Sequence, residues 1–130
     1  MTKSRILVVD DEPNLSGLVR FFLEKTQRFE VRVENRSAFA VSAARDFRPD
    51  MILLDVDMPG KDGGEVAREI QADPALRGVP ILFFTSLISR EEAGQHETVR
   101  GGNRFLAKPV DPKILIPVVD RILAEQVHAA

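Results

Sequence analysis

Four short apolar runs in this 130-residue chain each end on a charged or hydroxylated residue. Ile6-Leu7-Val8-Val9 leads into Asp10-Asp11, Met51-Ile52-Leu53-Leu54 into Asp55, Ile81-Leu82-Phe83-Phe84 into Thr85-Ser86, and Phe105-Leu106-Ala107 into Lys108-Pro109. Runs without polar alternation read as strands covered on both faces, the situation of a parallel sheet. In an open α/β sheet the ligand crevice lies outside the carboxyl ends of the strands, so these polar ends converge on one pocket. Three carboxylates, a hydroxyl and an ammonium then meet. Like charges do not crowd without compensation, so the carboxylates imply a bound cation and the lysine an anion beside it.

The segments between the runs carry helical patterns. Leu15, Leu18, Val19 and Phe22 recur at helical spacing after Pro13, which suits a first turn where its missing N–H costs nothing. Phe29, Val31 and Val33 alternate with Glu30, Arg32 and Glu34, the pattern of a half-exposed strand, so strand two is placed at an edge. Ser37 is positioned to cap a second helix carrying Ala40, Val41, Ala44 and Phe47 and ending before Pro49. Val66, Ala67 and Ile70 mark a third helix after Gly63-Gly64, with Gly63 expected to supply a positive φ and Met58-Pro59-Gly60 a loop. Residues 90–102 should hold a fourth helix, short or irregular, because Gly94 interrupts it and Ala93 and Val99 are its few apolar anchors. In the last helix Leu115, Val118, Val119 and Ile122 can face the core, while Pro117 requires either a kink or a late start. Ile116, Leu123 and Val127 form a second apolar stripe there, open to a partner or to solvent. Strand and helix alternate, which predicts a doubly wound α/β fold, and the edge strand favours the order 2-1-3-4-5.

Composition narrows the function. The length suits one domain with one core. With no cysteine there is no disulfide or thiol nucleophile, and two isolated histidines, His96 and His128, lack metal-ligand spacing. The amino terminus is too short in apolar residues for a signal peptide and no stretch approaches a membrane span, so a cytoplasmic location without membrane association is expected. A net charge of −2 offers no basic field, so direct nucleic-acid binding is not expected.

The residues at the strand ends, read together, carry a resemblance. Val8-Val9-Asp10-Asp11-Glu12-Pro13-Asn14, Leu53-Leu54-Asp55-Val56-Asp57-Met58-Pro59-Gly60, Gly63, Thr85, Phe105 and Lys108-Pro109 are similar, in order and spacing, to the receiver domain of two-component response regulators. The resemblance implies a flavodoxin-like (βα)5 fold with a five-stranded parallel sheet and a receiver domain over residues 4–127; because few residues follow the last helical pattern, no output domain is expected. It also implies a signalling module rather than a turnover enzyme, although it assists its own phosphorylation and dephosphorylation. A sensor histidine kinase or histidine phosphotransfer protein is the implied donor, and a further protein the target. The face made by the fourth helix, the fifth strand and the last helix is the implied dimer or output surface.

Chemistry and resemblance agree on the roles. Asp55, where the resemblance places the phosphoacceptor, is the expected nucleophile: a carboxylate can attack phosphorus to give an acyl phosphate, dividing one transfer into two steps. Asp10 and Asp11 are suited to Mg²⁺, a hard ion that prefers oxygen ligands and bridges carboxylate to phosphate, though acids here can also favour the start of the first helix. By resemblance the main-chain carbonyl of Asp57 completes the metal set with Asp10, Asp11 and Asp55. Lys108 is expected to pair with phosphoryl oxygens and Thr85 to donate its hydroxyl to another. Thr85 and Phe105 resemble the family's switch pair, with a packed core phenylalanine as the simpler role for Phe105. By resemblance Leu87 occupies a position that tunes loss of the phosphoryl group; leucine cannot orient a water, so a long-lived phosphoaspartate is expected unless Asp57 positions the water instead. Two other functions fit less well. One is a phosphorylation-independent interaction module, against which the intact Asp55, Lys108 and Asp11 set argues. The other is a haloacid-dehalogenase-like phosphatase, whose Asp-x-Asp spacing Asp55 and Asp57 share but whose next motif position is filled by Pro59.

Overall fold

In a computed structural model, which describes residues 2–86, 98–100 and 102–129, strands and helices alternate as the pattern requires. In chain order they are β1 (Ser4–Val9), α1 (Pro13–Lys25), β2 (Phe29–Glu34), a 3-10 turn (Ser37–Phe39) running into α2 (Ala40–Phe47), β3 (Met51–Asp55), α3 (Gly63–Ala72), β4 (Ile81–Thr85), β5 (Thr98–Arg100), β6 (Asn103–Ala107) and α4 (Pro112–Ala129). The sheet order is β2-β1-β3-β4-β6-β5. Its first five strands are parallel, in the expected 2-1-3-4-5 order, with β2 at the edge. β5 adds a short antiparallel strand at the other edge, pairing Val99 with Arg104.

The apolar runs cover both faces of the sheet. Ile6, Val8, Leu53, Leu82, Phe84 and Leu106 point to one side, under Val19 and Leu23 of α1 and Leu115, Val118, Val119 and Ile122 of α4. Leu7, Val9, Ile52, Leu54 and Phe83 point to the other, under Ala40, Ala43 and Ala44 of α2 and Val66, Ala67 and Ile70 of α3. Each large side chain removed from water contributes about 1.5–3 kcal/mol. Between these two layers β1 and β3 are neighbouring interior strands, and that pairing sets Asp10 and Asp55 side by side.

Several expectations change on contact with the structure. α1 buries Ser16, Val19 and Leu23, whereas Leu18 is exposed. At 100° per residue Leu18 lies too far from the line through Val19 and Leu23 to reach the sheet. Ser37 does not cap α2, because a 3-10 turn intervenes; its hydroxyl reaches the Pro59 carbonyl at 3.4 Å. α2 ends on Arg48 in the left-handed conformation, just before Pro49. α3 is capped by Asp62, which accepts the Glu65 N–H at 2.9 Å. The positive φ of the preceding loop belongs to Gly60, at 79°, and not to Gly63. Gly63 is needed for space: a Cβ there would lie 2.5 Å from the Asp55 carbonyl oxygen.

The expected fourth helix falls mostly outside the described residues, as do Leu87, His96 and residue 101, but residues 98–100 of its range are strand rather than helix. α4 does not start late; it begins at Pro112 and carries Pro117 inside. Pro117 is exposed, as is Lys113, whose carbonyl loses its helical partner, so water can replace the bond. Ile116 and Leu123 are partly buried against the core rather than free on the surface, so the expected second stripe is absorbed by packing. Its third member, Val127, lies where side chains are outside the described residues.

Candidate functional site

The register of the parallel strands brings the polar run ends together. Val9 pairs with Leu54 and Asp55 with Phe84, while Thr85 pairs with Ala107, so Asp10, Asp55, Thr85 and Lys108 emerge at one end of four adjacent strands. Thr85 accepts the Lys108 N–H on its carbonyl at 2.9 Å, tying the last two together through the backbone. The Lys108-Pro109 peptide bond is cis. Asp10 and Asp55 are 1% exposed and Thr85 2%.

Lys108 reaches into this pocket. Its Nζ lies 2.8 Å from Asp55 Oδ1 and 3.8 Å from Asp10 Oδ2. Asp55 Oδ1 also accepts the Asp57 N–H at 3.2 Å, and Asp10 Oδ1 accepts the Glu12 N–H at 2.9 Å. The second oxygens, Asp10 Oδ2 and Asp55 Oδ2, are buried and have no hydrogen-bond partner among the described residues. One carboxylate oxygen from each of Asp10, Asp11 and Asp55 lies within 4.8 Å of the others. Asp57 follows Asp55 on the loop with an exposed side chain, so its N–H and not its carboxylate touches Asp55.

The electrostatics follow from this crowding. Burial, reinforced by the charges of Asp55 and Asp11, lifts Asp10 from 3.8 to about 6, against the pull of the Glu12 N–H and Lys108. Asp55 is also raised, chiefly by burial and further by the Asp11 carboxyl, although the Lys108 hydrogen bond and charge and the Asp57 N–H lower it. For Lys108 burial disfavours the charge, yet the Asp55 hydrogen bond and the charges of Asp10, Asp55 and Glu12 outweigh it and raise its pKa. The ammonium thus stays charged while the acids around it are under-compensated. Two orphaned buried oxygens in an all-carboxylate cluster are the donor set a hard divalent cation takes, so the residues present fit such an ion.

Phe105, the expected switch partner of Thr85, is partly buried and stacks on Phe83 with ring centroids 5.2 Å apart. Two residues that the sequence pattern did not single out also reach the site. Asn35 Nδ2 donates to the Asp10 carbonyl and to Ser16 Oγ, both at 2.8 Å, and Ser16 is buried. No motif marks them; only the strand register puts Asn35 beside Asp10.

With this geometry in place, comparison with known proteins is consistent. The family model for the response regulator receiver domain matches residues 6–120. The DNA-binding response regulator MtrA of Mycolicibacterium smegmatis is 34% identical over 116 residues, which are 88% of this chain and 48% of that protein, so the chain spans about half the length of this relative. Protein PilH of Pseudomonas aeruginosa is 32% identical over 122 residues, 93% of this chain and 98% of PilH. Among solved structures, the receiver domain of a sensor histidine kinase from Pseudomonas aeruginosa PAO1, with a magnesium ion coordinated in its active-site cleft, superposes with a TM-score of 0.78 at 30% identity, covering 95% of this chain and 99% of that one.

Proposed function

The chain belongs to the response regulator receiver domain family, and on that premise we propose that it accepts a phosphoryl group on Asp55 from the phosphohistidine of a sensor histidine kinase or phosphotransfer protein and signals by binding a target protein. The observation that carries this reading is the Lys108 ammonium 2.8 Å from a buried Asp55 whose other oxygen has no hydrogen-bond partner among the described residues. That arrangement leaves a buried carboxylate oxygen unsatisfied beside an ammonium able to receive the charge of an arriving phosphoryl oxygen.

In the transfer an Asp55 oxygen bonds to phosphorus as the phosphorus–nitrogen bond of the donor breaks; the electron pair stays on the imidazole nitrogen, which takes a proton. Lys108 turns from Asp55 toward the phosphoryl oxygens, and the Thr85 hydroxyl donates to another. Asp10, Asp11 and Asp55, with the Asp57 main-chain carbonyl, are the residues that would hold Mg²⁺; the similar Pseudomonas receiver domain has a magnesium ion coordinated in its active-site cleft. When bound, that ion neutralises the carboxylates and the transferring oxygens together. Movement of Thr85 toward the phosphoryl group then loosens the space beside Phe105, whose ring position reports the active population.

Intact mass and thermal stability in Mg²⁺, with acetyl phosphate, beryllofluoride or no addition, test the proposal. One phosphoryl increment on the wild type and none on Asp55→Asn, with beryllofluoride raising the melting temperature, is the expected result. No adduct and no stabilisation with either reagent would overturn it in favour of a phosphorylation-independent interaction module.

A further inference from the structure

The β1–β2 ladder stops one rung short of the site. Asp10 N donates to the Glu34 carbonyl at 3.2 Å, so in a continuing parallel ladder the Asp10 carbonyl would take its hydrogen bond from Arg36 N. Arg36 N instead turns back to the Glu34 side chain at 3.0 Å. The Asn35 side chain fills the missing rung, with Nδ2 on the Asp10 carbonyl at 2.8 Å. The orientation of the amide is fixed by chemistry, since a carbonyl can only accept and must face the NH2 group.

The second N–H of that amide goes to Ser16 Oγ at 2.8 Å. The Ser16 hydroxyl in turn lies 3.2 Å from the Glu12 carbonyl and 3.3 Å from that of Pro13. Glu12 is also the residue whose N–H holds Asp10 Oδ1. Asn35 therefore grips the turn from Asp10 to Glu12 at both ends, directly at Asp10 and through Ser16 at Glu12, with Asp11 between. The consequence is that the Asp10 carboxylate is pinned by one oxygen while the other, Oδ2, is left toward Asp11 and Asp55.

Resting on the receiver reading above, we infer that Asn35 is a positioning residue for the divalent cation: through Ser16 and the Asp10 carbonyl it presets the two acids of the β1–α1 turn. Below this rung β1 is fully buried from Ile6 to Val9, so that strand is held in the sheet by its own packing as well as by Asn35. Loss of Asn35 lets the turn relax, so the acids repel and spread, and the ion must reassemble them on binding.

The experiment is the Mg²⁺ dissociation constant by calorimetry for wild type, Asn35→Leu and Ser16→Ala, beside their melting temperatures in EDTA. Asn35→Leu keeps the shape and removes both donors; it should weaken Mg²⁺ about tenfold, the low end for residues that orient metal ligands. Ser16→Ala, which breaks the tie to α1 but keeps the Asp10 rung, should weaken it by a smaller factor. In acetyl phosphate reactions the half-saturating Mg²⁺ concentration should rise in both variants, with the rate at saturating Mg²⁺ within about twofold of wild type. Mg²⁺ affinity within twofold of wild type in both variants, whatever happens to the melting temperature, would overturn the inference and leave Asn35 a purely structural residue. Should Asn35→Leu not fold, the Ser16→Ala constant decides alone. If the wild type itself bound no Mg²⁺, the receiver reading would fail first, before any variant was compared.

Discussion

At the amino end of the sheet Asp50 and Asp73 are met by donors, whereas at the carboxyl end Asp10 and Asp55 are buried with one oxygen each unmet among the described residues. Asp50 takes the Arg5 N–H at 2.7 Å; Asp73 takes Arg45 Nε at 2.5 Å and the Ala75 N–H at 2.9 Å. The result is opposite titration: the Arg45 and Ala75 hydrogen bonds hold Asp73 below the usual carboxylate range, while burial pushes Asp10 up to about 6. One end spends its acids on holding the fold together. The other keeps them under-compensated, which is how a protein stores affinity for a cation and for a group the cation brings.

The strongest way to break this contrast is to remove the cation the site does contain. Lys108→Met should lower the rate of phosphoryl uptake from acetyl phosphate by roughly 10²–10³-fold at saturating Mg²⁺, the loss seen when one preorganised donor to developing charge is deleted. A time course of intact mass measures it. A change smaller than threefold would mean that Lys108 serves only as a counter-ion for Asp55.

Next in size is the burden of Asp10 itself. Its proton is bound more tightly in the folded state, where the pKa is about 6, than in the unfolded state near 3.8. This group therefore favours folding most below about pH 4, and that advantage is lost as pH rises to about 6, a difference of up to about 3 kcal/mol. In EDTA, Asp10→Asn should be more stable than wild type at pH 7.5 and should lose that lead at pH 4, as read by urea denaturation. A gap that stays constant across this range would show that Asp10 carries no such strain.

The acids themselves were legible because apolar runs buried on both faces have only one place to end, and because a carboxylate, a hydroxyl and a lysine at those ends are improbable as packing. The sheet order followed from one alternating strand. What stayed hidden was everything decided by register or close approach. Asn35 reads as an ordinary loop residue until β2 is aligned with β1. Gly63 reads as a turn glycine until α3 is seen resting on the Asp55 backbone. Leu18 matches the apolar spacing of α1 as well as Leu23 does, and only the direction of the sheet separates them. β5 is three residues long, with Val99 62% exposed, and so short a strand has no alternation to read.

The close approach of α3 gives the third prediction. Gly63→Ala places a methyl group 2.5 Å from the Asp55 carbonyl oxygen and 2.9 Å from Val56 Cα, backbone atoms that cannot swing aside. Overpacking of this kind costs about 1–3 kcal/mol, and here it must also displace the nucleophile's own peptide. The variant should therefore lose stability and phosphoryl uptake together, whereas Ala substitution at Gly17, where a Cβ meets nothing within 4 Å, should lose neither. Denaturation and mass measurements on the same two preparations separate the cases, and stable Gly63→Ala protein with normal uptake would refute the contact.

The smallest effect, and the one that completes the contrast, lies at the far end. Asp73 contributes stability above its unfolded pKa, and that contribution is lost as pH falls through its lowered folded value. Asp73→Asn should therefore be slightly less stable than wild type at pH 7.5 and close to it at low pH, the reverse of Asp10→Asn in both sign and direction. Because Arg45 is largely exposed and the pair is screened by solvent, the shift should be smaller than any above. Mg²⁺ should leave it untouched, since no atom of the carboxylate cluster is involved. If Asp73→Asn instead followed the same pH course as Asp10→Asn, the two ends of the sheet would share one electrostatic environment, and the strained state of the strand-end acids would need a cause other than their missing donors.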